Sequence, residues 1–364
     1  MLEARVATHR RDFEQALPAW DALAVASGQP MSAPAWTLAW LDHLAPAGAE
    51  TRVVLVGDDG DLVGVVPLVA RRDAGCGLWS LAAGDTGRVA PLARSGREWE
   101  VAQAAVAALG ASEPPLDMLR IDNAPGGAWS LAWELSLREL WRSRRLLPWR
   151  RVAVRACPVM ELDGTYEAWM STKSANFRSE MGRARRRFAR AGGVVRRATA
   201  ETLERDVATY LRLHLSRRGE ASDLWRVAAG LEAALVAAGA DLLPLGRLRL
   251  YVLELEGEPI GALLFLAAGG ELMLHNVGWD EAHARMKPGL VGLLTAIEEA
   301  LAAGDRRLDF GPGAYPYKLR FATGDEPVYQ TLLAGVGPRM AGIALERAPR
   351  AARALAAKVR RARG

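Results

Sequence analysis

The sequence predicts a mixed α/β chain of the α+β class, built as two related domains in tandem, and three observations carry this. Its 364 residues are about twice a typical domain of ~150. Short apolar runs of strand length alternate with helix-length stretches in both halves. One strand–turn–strand unit also recurs. Residues 53–68 match 251–264 around the acidic-glycine turns Gly57-Asp58-Asp59-Gly60-Asp61 and Glu256-Gly257-Glu258, the first copy being one residue longer. The boundary falls near 150–160, giving a first domain over 1–155, a second over 156–340 and a basic helical tail over 341–364.

In chain order, Arg11–Ser27 and Trp36–Leu44 have the apolar spacing of amphipathic helices. Arg52–Val56 and Leu62–Ala70 read as a hairpin closed by the first acidic turn. Leu78–Leu81 and Leu116–Ile121 are short strands with a helix over Glu98–Leu109 between them. Leu131–Trp141 is helical, and Arg151–Leu162 resumes an extended pattern. The second half predicts helices over 174–191, 201–217 and 223–238. Strands follow at Arg247–Leu255, Pro259–Ala268 and Glu271–Trp279. A helix from Pro288 to Gly304, a strand at Arg307–Phe310 and a last strand near Val328–Ala334 complete the pattern.

Half of the residues are apolar and about a quarter charged, which excludes a disordered or collagen-like chain. Two cysteines, Cys76 and Cys157, are too few for a disulfide scaffold or a cysteine-based zinc site. The five histidines (His9, His43, His214, His275, His283) show no ligand spacing, so no metal is expected. No run of 18 apolar residues is long enough for a membrane helix. Glu3, Arg5, His9, Arg10, Arg11 and Asp12 stand where a signal peptide needs an apolar run. The expectation is a cytoplasmic protein.

The net charge of +5 conceals two basic blocks on an acidic body. Segment 173–197 carries +8 and segment 345–364 carries +6, leaving −9 for the remainder. Such blocks suit RNA or an anionic membrane surface, which allows peripheral contact at an inner membrane face; a solvated helix face and a frayed tail are the plain alternatives. Only four cations are lysine (Lys173, Lys287, Lys318, Lys358). Where arginine is the default, a lysine marks a place for a compact, flexible ammonium.

The chemistry-bearing run is 277–313, which reads as strand, loop, helix, strand. Pro288 suits the first helical position, where its missing N–H costs nothing. Gly289 leaves the helix start open, and Lys287 adds a full charge beside the positive end of the helix dipole. A pyrophosphate fits there, although Lys-Pro-Gly also begins ordinary helices.

Met286-Lys287-Pro288-Gly289-Leu290, the helix ending at Gly304, Leu308-Asp309-Phe310-Gly311 and Tyr317-Lys318 resemble the C-terminal signature of the acyl-CoA N-acyltransferase (GNAT-like) proteins of the CelD and FemAB-like group. Pro34-Ala35-Trp36-Thr37-Leu38-Ala39-Trp40, the hairpin ending Val66-Pro67-Leu68-Val69 and the arginine-rich Ser174–Gly193 extend the resemblance over most of 30–335. It implies a tandem of two GNAT-like folds, each a twisted mixed sheet flanked by helices. Two neighbouring parallel strands would part around an acyl thioester, with Glu271–Trp279 as the first and Arg307–Phe310 as the second. The coenzyme A diphosphate would rest on Lys287, Pro288, Gly289, Leu290 and Gly292. The family's usual loop pattern of Arg or Gln, two residues, Gly, one residue, Gly or Ala is absent here. Arg285 precedes Gly289 by four, and Gly292 follows three later.

The resemblance further implies acyl transfer from acetyl-CoA or another acyl-CoA to an amine. That reaction needs a base or water relay, donors for the oxyanion and an acid for the thiolate. His275 is a candidate base, or a buried histidine satisfied by a carbonyl. Asp309 is a candidate for orienting the amine, or a helix cap or partner for Arg320. Tyr315 and Tyr317 follow the second strand, where such enzymes place the acid, though aromatic packing is the ordinary role. Lys318 is placed to stabilise the oxyanion or a phosphate, or to pair with Glu326. The CelD likeness implies a polysaccharide or cell-envelope pathway with an amino sugar acceptor. The first domain, lacking counterparts of these motifs, would be degenerate. Two rival readings remain: a FemAB-like transferase using aminoacyl-tRNA, and a non-catalytic assembly protein.

Overall fold

A computed structural model describes residues 2–73, 76–84, 87–112, 117–144, 146–219 and 227–335. The expected tail over 341–364 lies outside them. The first half runs β1 (Glu3–Ala7), α1 (Leu17–Ala26), α2 (Pro34–His43), β2 (Glu50–Asp58), β3 (Asp61–Asp73), β4 (Cys76–Leu81), β5 (Leu92–Ala93), α3 (Glu98–Gly110), β6 (Met118–Ala124), α4 (Ala128–Arg144) and β7 (Leu146–Arg155). The second runs β8 (Pro158–Glu161), α5 (Tyr166–Ser171), α6 (Ala175–Arg190), β9 (Val194–Arg197), α7 (Leu203–Arg218), α8 (Ala228–Leu242), β10 (Leu248–Leu255), β11 (Glu258–Ala268), β12 (Glu271–Trp279), α9 (Pro288–Ala302), β13 (Arg307–Asp309), α10 (Pro316–Leu319), β14 (Gly324–Asp325) and β15 (Val328–Gly335).

The two sheets have one plan. The first is ordered β1-β2-β3-β4-β6-β15-β7, and the second, read from its other edge, β9-β10-β11-β12-β13-β8-β14. Each has four antiparallel strands, then a single parallel junction (β4 with β6, β12 with β13), then antiparallel strands again. The sixth place is filled by exchange. Strand β15, which the sequence places in the second domain, lies between β6 and β7 of the first sheet. The single extended run expected over Arg151–Leu162 divides at Ala156-Cys157, with β7 in one sheet and β8 in the other.

The repeated hairpins occupy equivalent places and close alike. Asp59 and Gly60 in the first, and Glu256 and Gly257 in the second, all have positive φ, the signature of a two-residue turn matched to strand twist. The extra residue suggested for the first turn is absent: Asp58 pairs with Asp61 and Leu255 with Glu258. Each hairpin then bulges before a glycine, with Gly64 opposite Val56 and Gly261 opposite Leu253. These glycines admit the crossing helix. A Cβ would fall 2.2 Å from Val101 of α3 at Gly64, and 2.8 Å from Pro288 of α9 at Gly261. Helices α3 and α9 are therefore structural counterparts.

The helix expected over Arg11–Ser27 is α-helical only from Leu17; upstream it breaks into short 3-10 turns, Arg10–Asp12 and Glu14–Ala16. Pro18 sits in the first turn, where a missing N–H is tolerated. One core lies under α5, α6 and α9 on one face of the second sheet. A larger one is continuous between the halves, joining Trp36 and Trp40 to Tyr210, Leu235 and Met273. Asp21 and Arg247 add a two-pronged ion pair across the same seam, at 2.7 and 2.9 Å.

Candidate active site

Strands β12 and β13 pair in parallel only from Glu271↔Arg307 to Met273↔Asp309. The ladder stops at that rung, where β13 itself ends. Just past it β12 bulges, because Phe265 faces Leu274 and Leu264 faces Asn276. His275 is the extra residue, and a bulge re-aims its side chain. Its ring turns towards α7, where Nδ1 lies 2.9 Å from the Tyr210 hydroxyl. One turn on, His214 donates from Nδ1 to Val277 O at 3.0 Å, if protonated there. Burial, and then His214, hold the His275 pKa down at about 4. The imidazole is therefore neutral at physiological pH.

Helix α9 begins against the end of β12. An added Cβ on Gly289 would lie 3.2 Å from the Trp279 ring and 3.4 Å from Val277, so glycine permits this approach. Lys287 caps the helix in a left-handed conformation (φ 54°, ψ 49°), which costs a non-glycine residue of order 1 kcal/mol or more. Its N–H donates to Ala284 O and the Leu290 N–H to Lys287 O. Position 288 is proline, so the first-turn amide left for a ligand is that of Gly289. Lys287 Nζ donates to Glu180 of α6 at 3.1 Å, and Arg320 joins the same carboxylate at 2.7 Å. Hydrogen bonds from Arg320 and then Lys287 hold Glu180 down at about pKa 2. Two cations on one anion leave a positive surplus at the helix start, which fits a diphosphate. Leu290 packs on the core, and Gly292 faces the sheet, where a Cβ would fall 2.3 Å from Leu263. At Gly292 the missing side chain lets α9 pack closely on the sheet.

Asp309 ends β13 with 1% of its surface exposed, and its oxygens are taken. Oδ2 accepts from Arg88 of the first half. Oδ1 accepts from the Gly311 N–H at 2.7 Å and the Cys157 thiol at 3.0 Å. Burial and the adjacent carboxylate push the Cys157 thiol up, so it stays protonated. Arg88 also donates to Glu326 at 2.8 Å, and Glu326 pairs with Arg307 at 2.6 Å. Asp309 is thus held at the end of β13 by three donors, and Arg320, the partner the sequence offered for it, pairs with Glu180 instead.

Lys318 is buried, and its Nζ donates to Gly311 O at 2.9 Å and Pro312 O at 3.2 Å. It pins the loop after β13, while Glu326 is engaged by Arg88 and Arg307. Tyr315 and Tyr317 are half exposed and stacked, with ring centroids 6.5 Å apart and planes 16° apart. The structure therefore gathers Asp309, Lys318, Tyr315 and Tyr317 on the β13 side, Lys287 and Gly289 at the α9 start, and His275 on the α7 face. Sequence reasoning missed Arg88, Tyr210, Cys157 and Glu180. None has a local signal, since each matters through a partner between 65 and 221 positions away.

Among the described residues, the first half's helix start differs from that of α9. Its counterpart helix α3 opens with Glu98 and Glu100, and Arg97 is paired to Glu100 and Asp58. Carboxylates at a helix N-terminus occupy the place an anion would take. Among the described residues no cluster of His, Cys, Asp and Glu could hold a metal, and no helix is long and apolar enough to cross a membrane.

Residues 175–319 match the family model described as acetyltransferase (GNAT) domain. No curated protein matches the sequence. Among solved structures, FemX is similar at 13% identity and a TM-score of 0.62, covering 90% of this chain and 98% of that one. A C-terminal DUF2156 domain from Agrobacterium fabrum is similar at 10% identity and a TM-score of 0.55, over 92% of this chain and 96% of that one. L-PGS from Bacillus licheniformis is similar at 12% identity and a TM-score of 0.51, over 92% and 95%. At such identities the likeness is one of fold. The chain has the fold of these structures, a tandem of two GNAT-like folds, and residues 175–319 in its second half carry the acetyltransferase (GNAT) domain.

Proposed function

We propose that the chain is an N-acyltransferase that takes its acyl group from acyl-CoA and delivers it to an amine in the wedge between β12 and β13. One observation carries this reading. The parallel β12–β13 ladder stops after three rungs, beside an α9 N-terminus that holds no acidic residue in its first turn and has Lys287 at its cap. The thioester would lie in the wedge and its diphosphate at Lys287, Gly289 and the positive surplus around Glu180. Coenzyme A supplies an activated acyl group on a thiol leaving group. The chain's own residues hold the two strand ends apart: Arg88 and Cys157 through Asp309, and Lys318 through the Gly311 and Pro312 carbonyls. The stacked Tyr315–Tyr317 pair is a flat surface of the kind that takes a sugar ring, which favours an amino sugar acceptor and a role in cell-envelope polysaccharide. The first half, with its acidic α3 start, acts as scaffold.

A second reading, an aminoacyl-tRNA donor, is favoured by α6. Its outer face exposes Arg178, Arg183, Arg186, Arg187 and Arg190, and Arg187 reaches Arg285 O at 3.1 Å. A thermal-shift panel separates the readings. An acyl-CoA at 100 times its dissociation constant stabilises the fold by about 2.7 kcal/mol. Release of free thiol on adding amines then establishes turnover. Stabilisation by tRNA with a steep salt dependence, and none by acyl-CoA, would favour the second reading. No response to either would leave an assembly protein with a vestigial cleft.

A further inference from the structure

Sequence reasoning offers His275 as a base, but its surroundings hold it in another form. Nδ1 is 2.9 Å from the Tyr210 hydroxyl, and Nε2 is buried with no hydrogen-bond partner. Tyr210 is itself fully buried. Trp36 of the first half stands edge-on to the imidazole at 6.0 Å, and its own Nε1–H is likewise buried without a partner.

A neutral imidazole carries one N–H and one lone pair, so two arrangements are open. If Tyr210 donates to Nδ1, the proton is on Nε2, and only that N–H lacks a partner. If Nδ1–H donates to the tyrosine oxygen, both the phenolic O–H and the Nε2 lone pair are left unmet. Each unmet buried polar group carries a desolvation penalty, so the first arrangement wins. We propose that Tyr210 fixes His275 as its Nε2–H tautomer, and that His275 acts in acyl transfer as a neutral hydrogen-bond donor to the developing oxyanion, not as a base. The unmet Nε2–H then has a purpose: a ligand oxygen supplies the acceptor it lacks.

This rests on the acyl-transfer reading and deepens it. The amine nitrogen attacks the thioester carbon, forming the C–N bond while the C=O π pair moves to oxygen. His275 stabilises that charge and keeps its proton. The C–S bond then breaks with its pair on sulfur, and the ammonium proton passes to the thiolate, giving amide and free thiol. A low-lying imidazole pKa supports the role, since the ring stays uncharged through the cycle. Tyr210 is a positioning residue, acting only through His275.

Two independent readouts test the proposal on the full chain. Two-bond proton–nitrogen spectra of histidine-labelled protein report the tautomer without requiring any activity. The expected spectrum has the His275 proton on Nε2 in the native chain, with Tyr210→Phe moving population to Nδ1. A proton on Nδ1 in the native chain overturns the proposal. In thiol-release assays His275→Gln, whose amide can still donate, is expected within about 10-fold of native kcat. His275→Leu is expected to lose about 100- to 1,000-fold, the usual effect of one oxyanion donor. Equal loss in both variants overturns the donor role. If the native chain turns over no acyl donor, the acyl-transfer reading fails by that result, while the spectrum still decides the tautomer. Should His275→Leu not fold, the spectrum and the Gln variant decide alone.

Discussion

Arg88→Met should be the most damaging single change to the site that touches no substrate. The Arg88 side chain is 6% exposed and Asp309 1%, so the pair is withdrawn from water. Met keeps most of the apolar stem, so the change removes charge and hydrogen bonds more than volume. Asp309 then retains the Gly311 N–H and the Cys157 thiol but loses its cationic partner. Breaking a buried pair from one side costs about 3–5 kcal/mol. For domains of this size, each kcal/mol is worth about 2–4 °C, so thermal unfolding should fall by about 10 °C. Circular dichroism melts of the full chain measure this. The double variant Arg88→Met/Asp309→Leu removes the stranded charge as well, and it should recover most of the loss, since replacing both partners is far milder than removing one. A single variant melting within 2 °C of native, or a double variant less stable than the single, would refute the picture of Asp309 as an anchored charge.

Lys287→Ala should raise the donor KM about 10-fold with kcat nearly unchanged, because its ammonium meets the donor equally in ground and transition states. Lys318→Met frees the Gly311 and Pro312 carbonyls, and kcat should fall about 100-fold with a lower melting temperature, since an ångström of displacement in a reacting loop costs that much. Glu271 is pushed from 4.5 up to about 7, chiefly by burial, against the pull of Arg307. The fold therefore holds this proton longer than the unfolded chain does. The associated stability is present below about pH 4.5 and is lost as pH rises through 7. Glu271→Gln should gain up to about 3 kcal/mol over native at pH 8 and nothing at pH 4.5, and melts at the two pH values check it. A chain ending at residue 327 lacks β15, and hydrogen exchange should show β6 and β7 losing protection while β10–β12 keep theirs.

The elements around the second-half site were legible because they are local. The spacing within Pro288–Ala302 buries nine residues on one side, and the acidic-glycine turns close both hairpins at their glycines. The partners of those elements were not. Pro158–Glu161 is a four-residue strand running straight on from another, and nothing within it says which sheet it will join. Lys318 follows β13 in sequence, but only the fold shows that the short α10 turns its ammonium onto the Gly311 and Pro312 carbonyls. Arg88 had no signal, since its partners lie 221 and 238 positions away.

These misses share a cause, and it bears on why a chain would keep two copies. In the second half, α9 follows β12 closely and its start is free for a ligand. In the first, the residues between β4 and α3 are more numerous and travel to the other half, where Arg88 enters the β13 corner. The strand exchange works in the same direction, since β8 reaches β13 from just after the first domain and its Val159 pairs with Asp309 itself. A carboxylate at the end of a three-residue strand has little of its own to hold it. Arg88, and Cys157 with Val159, hold it from two segments outside the second half's helix–strand repeat or at its edge. Under the proposed acyl-transfer reading, the first domain serves as scaffold, with its equivalent loop lending Arg88 to the β13 corner. That predicts a dependence in one direction only: damage to the first domain's Arg88 loop reaches the wedge, whereas damage at Lys287 or Gly289 leaves the first sheet intact.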